Sequence, residues 1–386
     1  MTQLKKFDLV VIGAGIHGAG VAQAAAAKGL SVLVLERREA AGMETSRASS
    51  KLIHGGLRYL ETGQFRLVYE CLREQRYLLR NAPHLVRRSD FYIPVYRQSS
   101  RSPWWVHLGL CCYHMLAGWA KEHAIERLSL EQRASLDIRQ QDLLAVFRYT
   151  DAQTDDQALT RAVLESARSL GAEVRFNTWC DQMEYAGEFR LRLNDGSEVT
   201  SRALVNAAGP WANEVAKIGG FQQQDVDWVQ GVHIVLKQPS GAGCFYVEAA
   251  DGRAVFVLPW RGMTMVGTTE LIVDSPKAQA TQAEIDYLLN VYNHYFPQSK
   301  QTAADVTEVF AGVRVLPKDN RIANKRSRET LFVSDAGGAY VAIYGGKLTS
   351  YRATAEKVME QLSPVLRDAV SDKTAFARST INLPLR

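Results

Sequence analysis

The chain opens on a short apolar run, Phe7 to Ile12 (F-D-L-V-V-I), with the composition of a buried strand. Gly13-Ala14-Gly15-Ile16-His17-Gly18 follows at once. An alanine-rich stretch then reads as helix to about Lys28, where Gly29 stops it. Ser31 to Leu35 (S-V-L-V-L) predicts a second strand, ending at Glu36. Further along, Gln157 to Gly171 predicts a helix and Glu173 to Asn177 a strand. Phe189 to Val199 predicts a hairpin turning at Asn194-Asp195-Gly196, and Ala203 to Asn206 a strand that enters the turn Ala207-Ala208-Gly209-Pro210. Between positions 226 and 309 the pattern changes to short alternating strands, Gly231 to Lys237, Ala254 to Pro259 and Thr264 to Thr268, the signature of an antiparallel sheet. Leu331 to Arg352 reads as a strand, a loop, then Gly345-Gly346 opening a long helix.

Strand, glycine turn, helix, strand and acid, in that order, form a dinucleotide fingerprint. Gly13 permits the tight turn, Gly15 lets the backbone approach a pyrophosphate, and Gly18 lets the helix pack close to the strand. Free N–H groups at the helix start face the phosphates. Glu36 lies 23 residues after Gly13 and is placed to accept hydrogen bonds from the adenosine ribose. His17, inside the turn, reads as a tolerated surface residue. The alternative is an ordinary glycine turn in a parallel sheet. FAD fits better than NAD, because a second glycine-rich element lies near the other end and a flavin is long enough to need both. A helix N-terminus at Gly346-Lys347-Leu348-Thr349 would stabilise the negative charge of a reduced flavin. For Gly345-Gly346 alone, a plain loop-to-helix turn is the competing reading.

These elements predict an α/β fold, a Rossmann-like FAD-binding domain with an inserted α+β substrate domain built on an antiparallel sheet. The FAD-binding domain is expected at 1–64, 149–225 and 310–366, the substrate domain at 65–148 and 226–309, and a C-terminal tail at 367–386.

Several separated blocks carry a family resemblance. They are TSRASSKLIHGGLRYLE (Thr45 to Glu61), YTDAQTDD (Tyr149 to Asp156), VNAAGPW (Val205 to Trp211), GVHIV (Gly231 to Val235), VFVLPWRGMTMVGTTE (Val255 to Glu270), EIDYLLNVYN (Glu284 to Asn293), GVRVL (Gly312 to Leu316) and GGKLTSYR (Gly345 to Arg352). In this order, across nearly the whole chain, the sequence resembles the FAD-dependent glycerol-3-phosphate dehydrogenases within the D-amino-acid-oxidase-like flavoproteins. The resemblance implies oxidation of sn-glycerol 3-phosphate to dihydroxyacetone phosphate by hydride transfer to flavin N5, with quinone as acceptor. Two departures from the family pattern are read: His17 stands where Asn is common, and, with its last residue at Arg386, the chain is expected to lack the helical C-terminal domain usual in bacterial members.

Arg58 and Arg314 resemble the family's substrate arginines, and Arg328 is a looser match; forked guanidinium donors suit phosphate. Tyr59, beside Arg58, joins the substrate set, and Lys347 can reach phosphate or the flavin carbonyl. With 46 cations in the chain, a solvated surface charge is the competing reading for each. His233 is the candidate base, since its ordinary pKa lies near working pH, and Arg314 would steady the developing alkoxide. A structural histidine is the alternative. Ser46, Ser49, Ser50 and Lys51 are expected along the FAD phosphates or flavin edge, with helix capping as a compatible second role for the serines. His54, Gly55 and Gly56 are expected beside the isoalloxazine, Ala208 and Gly209 beside the dinucleotide, and Gly345, Gly346, Leu348 and Thr349 at the second glycine element.

Composition narrows the alternatives. The net charge of +5 and pI near 8.9 fit an anionic substrate or an acidic membrane surface, and no nucleic-acid motif appears. The five cysteines form no C-x-x-C pair and read as reduced thiols of a cytoplasmic protein. The eight histidines show no metal-ligand spacing, so no metal is expected. The N-terminus reaches its first strand after a short polar lead, so no signal peptide is read. Trp104 to Ala120 holds seventeen residues interrupted only by His107 and His114. That is short of the roughly 20 apolar residues a membrane span needs. Its three tryptophans, preceded by Arg97 and Arg101, predict a helix lying in the membrane interface or one buried in the substrate domain. Peripheral contact with the cytoplasmic membrane would follow from the first. Two other functions remain open: an oxidase or dehydrogenase of a small hydroxy or amino acid, and a flavin-binding accessory subunit without turnover.

Overall fold

The fingerprint strand Lys5–Ile12 lies at the centre of a sheet in a computed structural model that describes residues 4–119, 124–239, 241, 243–318, 330–370 and 373–385. It pairs in parallel with Val32–Leu35 on one side and with Glu198–Asn206 on the other. Glu173–Arg175 extends the sheet beyond Val32–Leu35, and Tyr340–Tyr344 extends it beyond Glu198–Asn206. Every crossover between these parallel strands needs a covering helix. The first, Ile16–Ala27, packs between the helices Asp156–Ser169 and Tyr351–Leu366. It is buried nearly all round, which its alanines permit by keeping the helix thin. At Gly20 a Cβ would come within 2.7 Å of the Tyr351 ring, so the third layer of helix sits almost on backbone.

The second sheet has ten strands and is mainly antiparallel. Val226–Leu236 pairs with Met263–Gly267, Leu271–Val273 and the long strand Val306–Pro317. The other half joins Val86–Tyr96 to Leu143–Thr154 through eleven residue pairs. Cys244–Glu248 bridges the halves, antiparallel to Ala254–Trp260 but parallel to Val86–Tyr96. The α/β class with its Rossmann-like sheet and second, largely antiparallel sheet is therefore as the patterning predicts. Two strands run across expected borders: Leu143–Thr154 crosses 149 and Val306–Pro317 crosses 310, and each belongs whole to the second sheet. Their continuous ladders keep the chain in that sheet until it can turn back.

The segment Thr45 to Gly56 links the two sheets. Thr45 Oγ1 donates to the Val313 carbonyl at 2.7 Å, in the second sheet, while Ser46 Oγ accepts from Ile16 N at 2.9 Å, at the start of the fingerprint helix. The helix predicted from Trp104 runs over Pro103–Leu116; Ala120 lies outside the described residues. Only Leu110 and Tyr113 of this helix are buried, whereas Trp104, Trp105 and the following Trp119 are each more than 60% exposed. The buried-helix reading is thus replaced by a helix held along one narrow edge. Among the described residues no helix is long and apolar enough to cross a membrane.

Candidate active site

The fingerprint turn closes on itself. Gly13 has φ +101°, and a Cβ there would meet the Ala207 carbonyl oxygen at 2.7 Å and Ala208 Cα at 3.3 Å. Ala207 and Ala208 are thereby brought against the turn by the end of Glu198–Asn206, while Gly209, at φ +55°, opens the short turn Gly209–Trp211. A Cβ at Gly18 would strike the Gly13 carbonyl oxygen at 1.9 Å, so this glycine fits the helix to the turn itself rather than to the strand. Glu36 anchors the loop from below: Oε2 accepts from Ala14 N at 2.7 Å and Oε1 from Arg38 N at 2.9 Å. Burial raises its carboxyl pKa, partly offset by those two N–H donors and Arg37. Ser46 caps the helix start, its Oγ accepting from Ile16 N.

The second glycine element meets the first. Gly345 and Gly346 hold φ of +75° and +100°, and a Cβ at Gly346 would lie 2.3 Å from His17 Nε2. His17 is therefore no free surface residue; it is half-buried with its ring on the Gly346 backbone. Burial lowers its pKa to about 4, and Nδ1 has no hydrogen-bond partner among the described residues. The helix expected to open at Gly345-Gly346 begins only at Tyr351, because both glycines are left-handed and the chain must turn before it can coil. Leu348 packs on the core of the first sheet, and Thr349 Oγ1 accepts from His54 N at 3.2 Å. Gly55 N donates to Tyr113 Oη at 2.8 Å, which donates in turn to Asp151 Oδ2 at 2.8 Å. Asp151 also accepts from Gln75 Nε2, and burial raises its pKa to about 7 against those hydrogen bonds. This cluster fixes the His54-Gly55-Gly56 backbone from behind.

Ser49 and Lys51 turn inward. Asp156 is wholly buried and accepts from Ser49 N, Ser49 Oγ, Gln157 N and Lys51 Nζ, the last at 2.6 Å. The Lys51 ammonium also lies 4.7 Å from the Phe310 ring centre. These side chains brace the segment from within. Ser50 faces the other way and shares a 2.9 Å hydrogen bond with His233 Nε2.

His233 sits on Val226–Leu236, opposite Gly267 and stacked on Phe310, its cross-strand neighbour on the other side. A Cβ at Gly267 would come within 2.1 Å of the His233 ring, so a glycine is required there. Burial first, then the charges of Lys51 and Arg314, lowers its pKa to about 3, and the ring is neutral. Its Nδ1 is buried without a hydrogen-bond partner among the described residues.

Arg58, from the turn Leu57–Leu60, and Arg314, from Val306–Pro317, converge on one oxygen. Arg58 Nη2 lies 3.7 Å and Arg314 Nη1 3.6 Å from Glu270 Oε1. Gly231 makes room for Arg314, since a Cβ there would be 2.8 Å from Nη2. Lys347 Nζ sits 3.6 Å from the Tyr59 ring centre, a cation–π contact. Arg328 lies outside the described residues. Sequence reasoning missed Glu270, Phe310, Asp151, Tyr113, Asp156, Gly231 and Gly267 as parts of the site, although most stand in or beside the motif blocks. Among the described residues no group of His, Cys, Asp and Glu is placed to hold a metal.

The residues fit a bound FAD. Two glycine turns in left-handed backbone, a capped helix start and the enclosed His17 Nδ1, without a hydrogen-bond partner among the described residues, come together where His17 meets Gly346. Comparison with known proteins agrees. The family described as FAD dependent oxidoreductase matches residues 8–357. A glycerol-3-phosphate dehydrogenase of Pseudomonas aeruginosa is 38% identical over 380 residues, covering 93% of this chain and 72% of that protein. A D-erythritol 1-phosphate dehydrogenase of Brucella abortus is 34% identical, covering 97% of this chain and 77% of that one. The crystal structure of a glycerol-3-phosphate dehydrogenase from Bacillus halodurans with FAD superimposes with a TM-score of 0.76 at 25% identity, over 99% of this chain and 68% of that one.

Proposed function

This chain belongs to the FAD-dependent oxidoreductase family and, within it, groups with the glycerol-3-phosphate dehydrogenases, and from that premise we propose that it oxidises sn-glycerol 3-phosphate to dihydroxyacetone phosphate. FAD is its cofactor and, when bound, supplies the hydride acceptor. The observation that carries the reading is the convergence of Arg58 and Arg314 on a single point, in the site that also holds His233. Two guanidinium groups converging on one point supply the forked donors that a phosphate needs, and the relatives named as phosphate-substrate dehydrogenases favour phosphate among the anions they could hold. In this reading they hold the phosphate, with Lys347 and Tyr59 completing that end of the site. His233 takes the alcohol proton at Nε2, the nitrogen that faces Ser50. Its low basicity has a physical use. Burial first, then Lys51 and Arg314, keeps the ring neutral, and a substrate dianion beside Arg314 offsets the charge part of that effect and raises the basicity of the ring on binding. Arg314 then faces the developing alkoxide.

The cradle residues Gly13, Gly15, Gly18, Glu36, Ser46, Gly345 and Gly346 would hold the cofactor, and His54-Gly55-Gly56 would back its ring. The domain division at 1–64, 149–225 and 310–366 against 65–148 and 226–309 belongs to the same proposal, with the crossings moved from 149 and 310 to the ends of the strands Leu143–Thr154 and Val306–Pro317, which lie whole in the second sheet. Electrons pass on to quinone at the cytoplasmic face of the membrane, where Trp104, Trp105 and Trp119 would seat the exposed helix in the interface. Serine at both Trp104 and Trp105 should abolish co-sedimentation with vesicles containing phosphatidylglycerol; unaltered partitioning would remove the helix from that role.

Arg314→Ala tests the reading of the site. The variant should retain FAD and raise KM for glycerol 3-phosphate by about 100-fold, the scale of a lost charge-assisted contact. Unchanged kinetics would take Arg314 out of the site. The Brucella abortus relative makes erythritol 1-phosphate the necessary comparison substrate.

A further inference from the structure

We infer that Glu270 is a specificity-determining residue: its carboxylate competes with bare anions for Arg58 and Arg314, and admits a phosphate only when that phosphate carries hydroxyls that can donate to it. The inference rests on the reading of the two arginines as the phosphate site.

The position of the carboxylate is built in by its neighbours. Thr269 Oγ1 donates to Glu284 Oε1 at 2.7 Å and accepts from Val232 N at 2.9 Å. One residue on, Arg253 Nη1 donates to the Glu270 carbonyl at 3.1 Å. With its backbone held on both sides, the Glu270 side chain is 7% exposed and reaches the point where Arg58 and Arg314 meet. These two contacts, at 3.6 and 3.7 Å, are longer than hydrogen bonds and unlike a bidentate fork, so here the carboxylate acts as a shared counter-charge.

A phosphate held by both arginines would therefore face Glu270 Oε1. A phosphate monoester carries about −1.5 to −2 charges at pH 7, and like charges a few ångströms apart in a shielded site repel strongly. For sulfate, a tetrahedral dianion with no O–H donor at neutral pH, this repulsion is uncompensated. A glycerol or other polyol phosphate brings hydroxyl donors on the same molecule, and a carboxylate is an acceptor with several lone pairs. Glu270 thus converts an anion site into a site for hydroxylated phosphates. The carboxylate sits in sequence at the end of the block Val255 to Glu270, far from both arginines, and only the second sheet brings the three together.

The test is calorimetric titration of the FAD-loaded chain with sulfate, for the natural protein and for Glu270→Gln, which keeps shape and removes charge. The substitution should tighten sulfate by about tenfold or more while tightening glycerol 3-phosphate by less, so that their affinity ratio narrows. Unchanged or weaker sulfate binding would show that Glu270 only orients the arginines and would overturn the inference. Should the variant fail to fold, crystals of the natural protein soaked in sulfate decide the matter. Glu270 Oε1 should move away from the guanidinium groups, and an unmoved carboxylate beside a bound sulfate would refute the competition. Tightening in the variant, together with a natural protein that glycerol 3-phosphate does not reduce, would sink the functional reading and leave this inference standing.

Discussion

Gly267→Ala puts one methyl group where His233 already stands. The built Cβ would lie 2.1 Å from Cδ2, 2.6 Å from Cγ and 2.9 Å from Nε2 of the ring. Contacts under 3 Å are not tolerated, so the ring or the strand must move by about 1 Å to restore ordinary carbon–carbon separation. The ring cannot shift along its normal, because Phe310 stacks on it with centroids 5.1 Å apart. It must tilt or slide, and either motion breaks the 2.9 Å hydrogen bond to Ser50. Overpacking of this kind costs about 1–3 kcal/mol of stability, which leaves a folded protein. The catalytic cost is larger, since a 1 Å misplacement of a reacting group lowers rates by about 100-fold. Arg58 and Arg314 approach from other elements and keep their places, so substrate affinity should change little. Stopped-flow mixing with glycerol 3-phosphate in the absence of oxygen separates the two quantities. The limiting rate of flavin bleaching should fall about 100-fold with the half-saturating concentration nearly unchanged. A limiting rate within about twofold of the natural protein would refute the placement of His233 at the reaction.

Two further outcomes follow from buried charge. Lys51→Met leaves Asp156 buried with one partner fewer, and removal of one member of such a pair costs about 3–5 kcal/mol; urea unfolding should show that loss, and a loss below about 1 kcal/mol would mean that the ammonium is not what compensates Asp156. The second concerns pH. His233 has a folded pKa lowered to about 3 from 6.5, so its contribution to stability is full above pH 6.5 and declines as pH falls through that value towards 3. Asp151, raised to about 7, acts in the opposite sense, gaining protons in the folded state over part of the same range. The comparison must therefore be made against His233→Asn: between pH 6.5 and 5 the natural protein should lose about 2 kcal/mol more than the variant, and parallel curves would contradict a neutral, buried His233.

The first sheet was legible because its rules are local. Gly13, Gly15, Gly18 and Glu36 declare a strand, turn and helix within a few dozen residues, and the observed elements differ from the expected ones by a residue or two. The start of the last helix was misread by about five residues, since Gly345 and Gly346 signal a turn without saying how long the chain takes to leave it. Lys51 and Ser49 were assigned to the cofactor by position in a motif. Their side chains instead serve Asp156, more than a hundred residues away, and no local pattern announces that pairing. Glu270 was invisible for the same reason: its meaning depends on Arg58 and Arg314 arriving from two other elements. The glycines at 231 and 267 look like ordinary strand interruptions until Arg314 and His233 are seen lying over them. In general, what the backbone does could be read from the chain, and which side chain answers which could not.

The most direct test of the account is an anaerobic titration of the purified yellow protein. Glycerol 3-phosphate should bleach the flavin absorbance stoichiometrically and yield dihydroxyacetone phosphate, while small hydroxy and amino acids leave the spectrum untouched. Bleaching by one of those acids, or by none of these compounds, would contradict the assignment of this site to a phosphorylated alcohol.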